Sequence, residues 1–163
     1  MGLAEVSSIL WKERELLELL LFKLEEEQLV LASGRTRWLA HATREVEFVL
    51  EQIRSTELLR AVEVDAIAAE LGIDAGPSLN VLAGVVPEPW DDLFRSHRDA
   101  FLTLTAEIQN LADANRDLLT SGARAVREAL LGLDAGLDTY TAKGKNIAAS
   151  TGGSRAHFVD EAL

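Results

Sequence analysis

The chain has 163 residues, which suits one domain, and a formal net charge of −11. Because this charge repels a nucleic-acid backbone and the cations usually lie beside carboxylates, we predict no nucleic-acid partner. The absence of cysteine excludes disulfides, thiol catalysis and cysteine-ligated metals.

The first periodic block runs from about residue 5 to residue 32 and is predicted to form an amphipathic helix. Leucine recurs every seven residues along it, at Leu3, Leu10, Leu17, Leu24 and Leu31. This seam is typical of coiled coils, and it leaves dimerisation through the first helix open. Gly34 is expected to end the helix, since glycine adopts the left-handed conformation at little cost.

Two further helices are predicted in the middle of the chain. Thr36 is expected to cap a helix from about residue 37 to residue 71, which stops before Gly72. Its apolar positions are three, four or seven residues apart, with one step of eleven, the sum of four and seven: Leu39, Val46, Leu50, Ile53, Val64, Ile67 and Leu71. After a turn, Ser78 is a suitable cap for a short helix over residues 79–83.

The strongest periodic signal follows Pro89 and predicts a third long helix of roughly 50 residues. Its apolar stripe advances in alternating steps of four and three residues: Trp90, Phe94, His97, Phe101, Leu104, Ile108, Leu111, Asn115 and Leu118. His97 is expected to be a hydrogen-bonded interior or boundary histidine, not a metal ligand. Asn115 interrupts the stripe, where a polar side chain either sets the register of packing or reaches water.

The third helix is predicted to extend beyond the ends of the other two. Helices of about 28 and 35 residues extend roughly 42 and 53 Å, and short connections favour antiparallel neighbours. On this count the third helix passes the end of the bundle near Arg124. The candidate partner-binding stripe beyond it comprises Val126, Leu130, Leu133, Leu137 and Tyr140. An uncovered apolar stripe marks a partner site. In the alternative, Gly122, Gly132 and Gly136 break the helix and fold it back.

The predicted fold class is all-α: an elongated antiparallel helical bundle or coiled coil with three long helices and a short connector helix. Residues 1–140 form the predicted domain, and the aperiodic residues 141–163 form a flexible, disordered C-terminal tail. No segment approaches the roughly 20 apolar residues of a membrane span, and the N-terminal residues lack the features of a signal peptide. We expect a cytoplasmic protein without membrane insertion.

No residue pattern supports catalysis or a cofactor. Di-iron and di-manganese bundles use Glu-x-x-His and zinc proteases use His-Glu-x-x-His, and neither motif occurs. Nucleophile elbows and phosphate-binding glycine loops are also missing. The carboxylates of Glu25-Glu26-Glu27 and Asp91-Asp92 are interpreted as solvated faces or first-turn charges. We therefore predict a binding protein that is not an enzyme and uses no metal or other cofactor.

Two segments carry a family resemblance. The first helix contains LLELL at residues 16–20 and KLEEEQ at residues 23–28, and the third contains IQNLADANRDLL at residues 108–119, followed by Tyr140 and Gly144. With the layout of the helices, these segments resemble the FlgN family of flagellar export chaperones. The resemblance covers the whole chain in its architecture.

The resemblance implies partners and a binding site. The partners are flagellar hook-associated (hook–filament junction) proteins, kept unassembled in the cytosol, and the flagellar type III export apparatus that receives them. The client's assembly-prone terminal helix would be held by the C-terminal part, which includes Val126, Leu130, Leu133 and Leu137, with Tyr140 at a contact to the export gate. Two alternatives remain: a homo-oligomeric coiled-coil scaffold, such as a homodimer through the leucine seam, and a chaperone for another secreted protein.

Overall fold

The computed structural model describes the backbone of residues 2–143 and the side chains of residues 2–133. Within these residues the chain contains helices and no strand. The elements are α1 (Leu3–Ser33), a 3₁₀ turn (Thr36–Trp38), α2 (Leu39–Leu71), α3 (Leu79–Ala83) and α4 (Trp90–Lys143). The predicted all-α fold with three long helices and a short connector helix is therefore confirmed. The part of the predicted tail beyond residue 143 lies outside the described residues.

Glycines end the first two long helices, as predicted. Gly34 has φ 70° and donates its N–H to the carbonyl of Leu31, and Gly72 has φ 68° and donates to the carbonyl of Ala69. Both conformations favour glycine, because a Cβ would strain the left-handed backbone. The start of α2 differs from the prediction. Thr36 lies in the 3₁₀ turn and makes no side-chain cap, so the α-helix begins at Leu39.

Ser78 caps α3, as predicted. Its Oγ accepts a hydrogen bond from the backbone N–H of Val81 at 3.3 Å, which satisfies one of the donors that a helix start leaves unpaired. This single short helix then buries Leu82 and Ala83 against the long helices. The connector is thus part of the core.

The described chain divides into two compact units, Met1–Arg116 and a second that begins at Asp117. In the first unit α1 and α2 are antiparallel, since residues later in α1 contact residues earlier in α2. Glu13 lies 3.3 Å from Arg60, and Lys23 lies 2.8 Å from Glu45. The predicted division of the chain near residue 140 stays a prediction.

The part of α4 within the first unit runs parallel to α1. The ring of His97 contacts that of Trp11 near the start of both helices. Later in both, Asn115 donates a hydrogen bond to the carbonyl of Leu24. The three long segments therefore alternate in direction, which is the arrangement that connections between consecutive helices of a bundle favour.

Two apolar clusters form the core of the first unit. One is built from all four helices and the loop after α3: Val6, Leu10, Val64, Ile67, Leu82, Ala83, Val86 and Phe94. The other is built from α1 and α2, with Ile108 and Leu111 of α4 packed against it: Leu16, Leu20, Leu24, Val46, Val49 and Ile53. Leu10 and Leu24 of the heptad seam are thus buried inside their own chain, where they are not available to a scaffold partner.

An ion pair separates the two clusters. Glu13 is only 4% exposed, and its carboxylate lies beside the Arg60 guanidinium, which is partly exposed. Burial raises the pKa of Glu13 to about 7, while Arg60 opposes the shift and Glu57 adds to it. Glu13 therefore places a titratable group inside the bundle near neutral pH.

A second buried carboxylate joins three helices. The prediction that Glu27 belongs to a solvated face is wrong, because its side chain is buried. The Thr43 hydroxyl donates to one of its oxygens at 3.1 Å, and the Asn115 amide donates to the other at 3.1 Å. Asn115 also donates to the carbonyl of Leu24 at 2.9 Å. The prediction that Asn115 sets the register of packing is consistent with these contacts.

His97 is an interior residue, as expected, but it is not hydrogen-bonded within the described part of the chain. Its ring packs edge-on against Trp11, with centroids 4.7 Å apart, and lies beside Phe101. Burial lowers the pKa of His97, and the nearby Arg14 guanidinium adds to the effect. The side chain therefore packs as a neutral aromatic ring.

The pKa of Glu13 predicts a pH-dependent stability. The usual pKa of a glutamate, 4.5, applies to Glu13 in the unfolded chain, and a pKa of about 7 applies in the folded chain. Between these two pH values the folded chain retains a proton that the unfolded chain releases. The free energy of unfolding should therefore fall as pH rises through this window. We expect Glu13→Gln to gain stability over the parent as pH rises from about 4.5 to about 7, measured by urea denaturation. The exposed Glu15→Gln is the matched control, and an equal gain there contradicts the assignment to Glu13.

Asn115 is expected to be important for stability. Asn115→Ala removes the two donated hydrogen bonds and leaves the buried Glu27 carboxylate short of a donor, so we expect a loss of about 2 kcal/mol. The midpoint of chemical denaturation measures it. Asn110→Ala makes the same change at an exposed position of α4 and should leave the midpoint nearly unchanged. Similar losses for both variants contradict the role of Asn115.

Candidate partner-binding site

The apolar face of α4 that packs into the core continues along the same side of the helix. After Asn115, apolar or glycine residues follow in steps of three or four, at Leu119, Gly122, Val126, Leu130 and Leu133. Such steps stay on one side of a helix. Phe94 and Asn115 are buried on this face, whereas the large apolar side chains from Val126 to Leu133 are exposed.

The structure presents three of the five predicted site residues together on this face. Val126 is 54% exposed, Leu130 41% and Leu133 63%. Leu137 and Tyr140 belong to the same helix, and their side chains lie outside the described residues. Adjacent apolar side chains of this kind suit contact with another apolar helix. Their role in binding a partner stays a prediction.

The glycines of α4 do not end the helix. It continues through Gly122, Gly132 and Gly136 to Lys143, so the alternative in which these residues fold the chain back is wrong. A Cβ built at Gly122 or Gly132 would meet no atom within 4 Å. Close packing therefore does not account for these two glycines, which lower the stability of the helix that bears the candidate stripe.

The charges beside the first half of the stripe are balanced, in contrast to the acidic whole. Residues 117–133 contain Asp117, Glu128, Arg124 and Arg127 as their charged side chains. Asp134 and Asp138 follow, so residues 117–140 carry a net charge of −2, and apolar contact is the main property of the stripe. Among the described residues there is no group of three or more side chains suited to hold a metal ion.

No described helix combines the length and hydropathy that crossing a membrane requires.

A different apolar surface, which was not predicted from the sequence, lies on the outer side of α2. Phe48, Leu58, Leu59 and Val62 are all exposed there. The sequence contains a pattern that could have predicted this surface. Steps of four and three residues join Phe48, Leu59 and Val62, and they define a face of α2 other than its buried stripe.

Comparison with known proteins identifies one family. The family model described as FlgN protein matches residues 1–147. No curated protein and no solved structure shows a significant match. The matched region includes α1 to α4 and all five predicted site residues.

The glycines predict that the second half of α4 can be stabilised. Gly122→Ala and Gly132→Ala add a methyl group in open space, so each should stabilise the helix by about 0.5–1 kcal/mol. Slower amide hydrogen exchange over residues 117–133 measures the change. Gly34→Ala is a control that should have the opposite effect. The backbone at this position has φ 70°, which strains any residue with a Cβ, so the substitution should lower stability. Unchanged exchange in the α4 variants contradicts the prediction.

Proposed function

The chain belongs to the FlgN family, whose members are flagellar export chaperones, and from that premise we propose its client and binding site. It binds the assembly-prone terminal helix of flagellar hook-associated proteins, which join hook and filament. It acts in the cytoplasm, where it keeps these subunits unassembled and delivers them to the flagellar type III export apparatus. The binding site is the α4 stripe of Val126, Leu130, Leu133, Leu137 and Tyr140.

The exposure of large apolar side chains on α4 carries this proposal. Upstream, the same helix face is buried by the chain's own α1 and α2, as Phe94 and Asn115 show. From Val126 to Leu133 that face is exposed. This spacing of apolar residues is typical of a helix that binds the apolar face of another amphipathic helix. The client's helix would thus replace the packing that α1 and α2 provide earlier along α4.

Apolar burial supplies the affinity in this mechanism. Burying one Val or Leu side chain contributes about 1.5–3 kcal/mol, while association of two proteins costs about 4–15 kcal/mol. Several side chains must therefore be buried together, which fits a stripe of five residues. Ordering a glycine-containing helix subtracts from the gain. A complex of moderate affinity follows, and such a complex can release its client at the export apparatus.

Charge also bears on which client helix the stripe can bind. A chain with net charge −11 repels acidic proteins at long range. Arg124 and Arg127 offset Asp117 and Glu128 beside the first half of the stripe, whereas Asp134 and Asp138 add negative charge beside Leu133 and Leu137, so the site does not favour an acidic helix. A homo-oligomeric scaffold has less support, because Leu10 and Leu24 of its proposed seam are buried in the core.

Two substitutions test the client site. Leu133→Asp with Leu137→Asp places two carboxylates on the stripe, so we expect binding of the client to be lost because burying each charge is costly. The measurement is calorimetric titration of the full chain with the C-terminal helical segment of a hook-associated protein from the same organism. The parent should bind one segment per chain.

Leu131→Asp is the matched control. Leu131 is exposed on α4 but lies about 140° around the helix from Val126, so this change adds a charge outside the stripe and should preserve binding. Helix content by circular dichroism should stay the same in both variants. Loss of binding through Leu131→Asp, or undiminished binding by the double variant, contradicts the proposed site.

A further inference from the structure

We propose that the outer face of α2 is a second docking surface, which binds a basic amphipathic helix of a partner protein. The surface is a strip of five apolar and two polar residues with acidic edges, and we call it the outer strip. It consists of Phe48, Gln52, Ser55, Leu59, Val62, Ala66 and Ala69. It lies in the first unit and shares no residue with the α4 stripe. The inference does not depend on the proposed client.

The outer strip has the spacing of a coiled-coil seam. Its seven residues advance in steps of four and three without exception, over three heptads of α2. The core stripe of α2, represented by Val49, Ile53 and Ile67, is buried on a different face of the helix. All seven residues of the outer strip are exposed, with Leu59 61% and Val62 67% accessible. α2 therefore carries two helix-packing faces, of which the core uses one.

Side-chain size along the strip suits a closely packed helix. Leu59 and Val62 are large at its centre, and Leu58 beside them is 71% exposed. Ser55, Ala66 and Ala69 are small, and small contact residues let two helix axes approach closely. At its N-terminal end Phe48 borders an open groove of about 400 Å³ that Leu19, Arg44 and the ion pair of Lys23 with Glu45 also line. The groove has room for an apolar side chain of the partner.

The charges at the edges identify the partner's chemistry. Acidic residues stand directly beside the strip in the sequence: Glu51, Glu63, Asp65 and Glu70. Residues 51–71 contain two basic side chains. Arg54 lies 3.5 Å from Glu51, and Arg60 pairs with the buried Glu13. In a coiled coil the positions at the edges select the partner by charge. Basic residues at the edges of the partner helix would complement this surface.

A second copy of the chain is a poor occupant for the same reason. Two outer strips packed on each other would place Glu63, Asp65 and Glu70 of one copy near like charges of the other. Like charges across an interface disfavour pairing, and the net charge of −11 on each chain adds repulsion at long range. The partner is therefore a different protein with a basic helix.

Two synthetic peptides test the charge preference. Both are helices of about 21 residues with the same leucine seam, and they carry either lysine or glutamate at the edge positions. We expect the full chain to bind the lysine peptide at least about tenfold more tightly in fluorescence anisotropy at low salt. Equal affinity for the two peptides overturns the proposal.

Leu59→Asp with Val62→Asp separates docking from general charge attraction. The variant is more acidic, so attraction by net charge alone would tighten binding of the lysine peptide, whereas the outer strip predicts a loss of about tenfold or more. Both positions are exposed, so helix content should not change. Val126→Asp with Leu133→Asp, which alters the α4 stripe, adds the same charge and should not weaken binding of this peptide.

Three further outcomes overturn the proposal. One is equal or tighter binding of the lysine peptide by the Leu59/Val62 variant. Another is loss of peptide binding through the α4 variant, which would place the contact on the client stripe. The third is a parent dimer in sedimentation that the Leu59/Val62 variant converts to monomer, which would assign the strip to a second copy. Failure of the client titration leaves these readouts unaffected, so the two proposals fail independently.

Discussion

The buried carboxylate of Glu27 sets the alignment of the three long helices. A carboxylate removed from water must be hydrogen-bonded, and its donors come from Thr43 of α2 and Asn115 of α4. Sliding any helix by one turn would separate these groups and leave the charge unpaired. The Glu13–Arg60 ion pair adds a second such constraint between α1 and α2. Apolar clusters on either side of that pair supply most of the burial, whereas the polar groups determine which residues meet.

This alignment divides each long helix into surfaces that pack and surfaces that remain exposed. On α4 one continuous face is buried at Phe94 and exposed at Leu133, so the candidate client site is an extension of a core-forming stripe. On α2 the two faces lie side by side, with Ile53 in the core and Leu59 exposed. Both surfaces use ordinary helix-packing residues, and no side-chain chemistry beyond apolar contact and charge is required. That property fits a protein that holds another helix and later releases it.

Buried polar residues show why sequence patterns leave part of a fold undecided. Glu13 and Glu27 occupy regular positions in the heptad spacing of α1, next to Leu10 and Leu24. A charged residue at such a position is normally assigned to solvent, because burial is costly without a partner. The partner of Glu27 on α4 is 88 residues away, so its presence could not be deduced from the neighbouring sequence. Asn115 was recognisable as a register-setting residue, but not the groups that it contacts.

The sequence by itself determined the helices, their apolar stripes, the helix ends at Gly34 and Gly72, and the likeness to a family of export chaperones. These depend on residue spacing and backbone preference, which are local. Tertiary structure alone decided that α4 continues through Gly132, since a glycine permits either outcome. It also decided which stripe of α2 is buried and which, with Leu59, is exposed. The physical reason is that both stripes have the spacing of a packing face, and only the positions of α1 and α4 select between them.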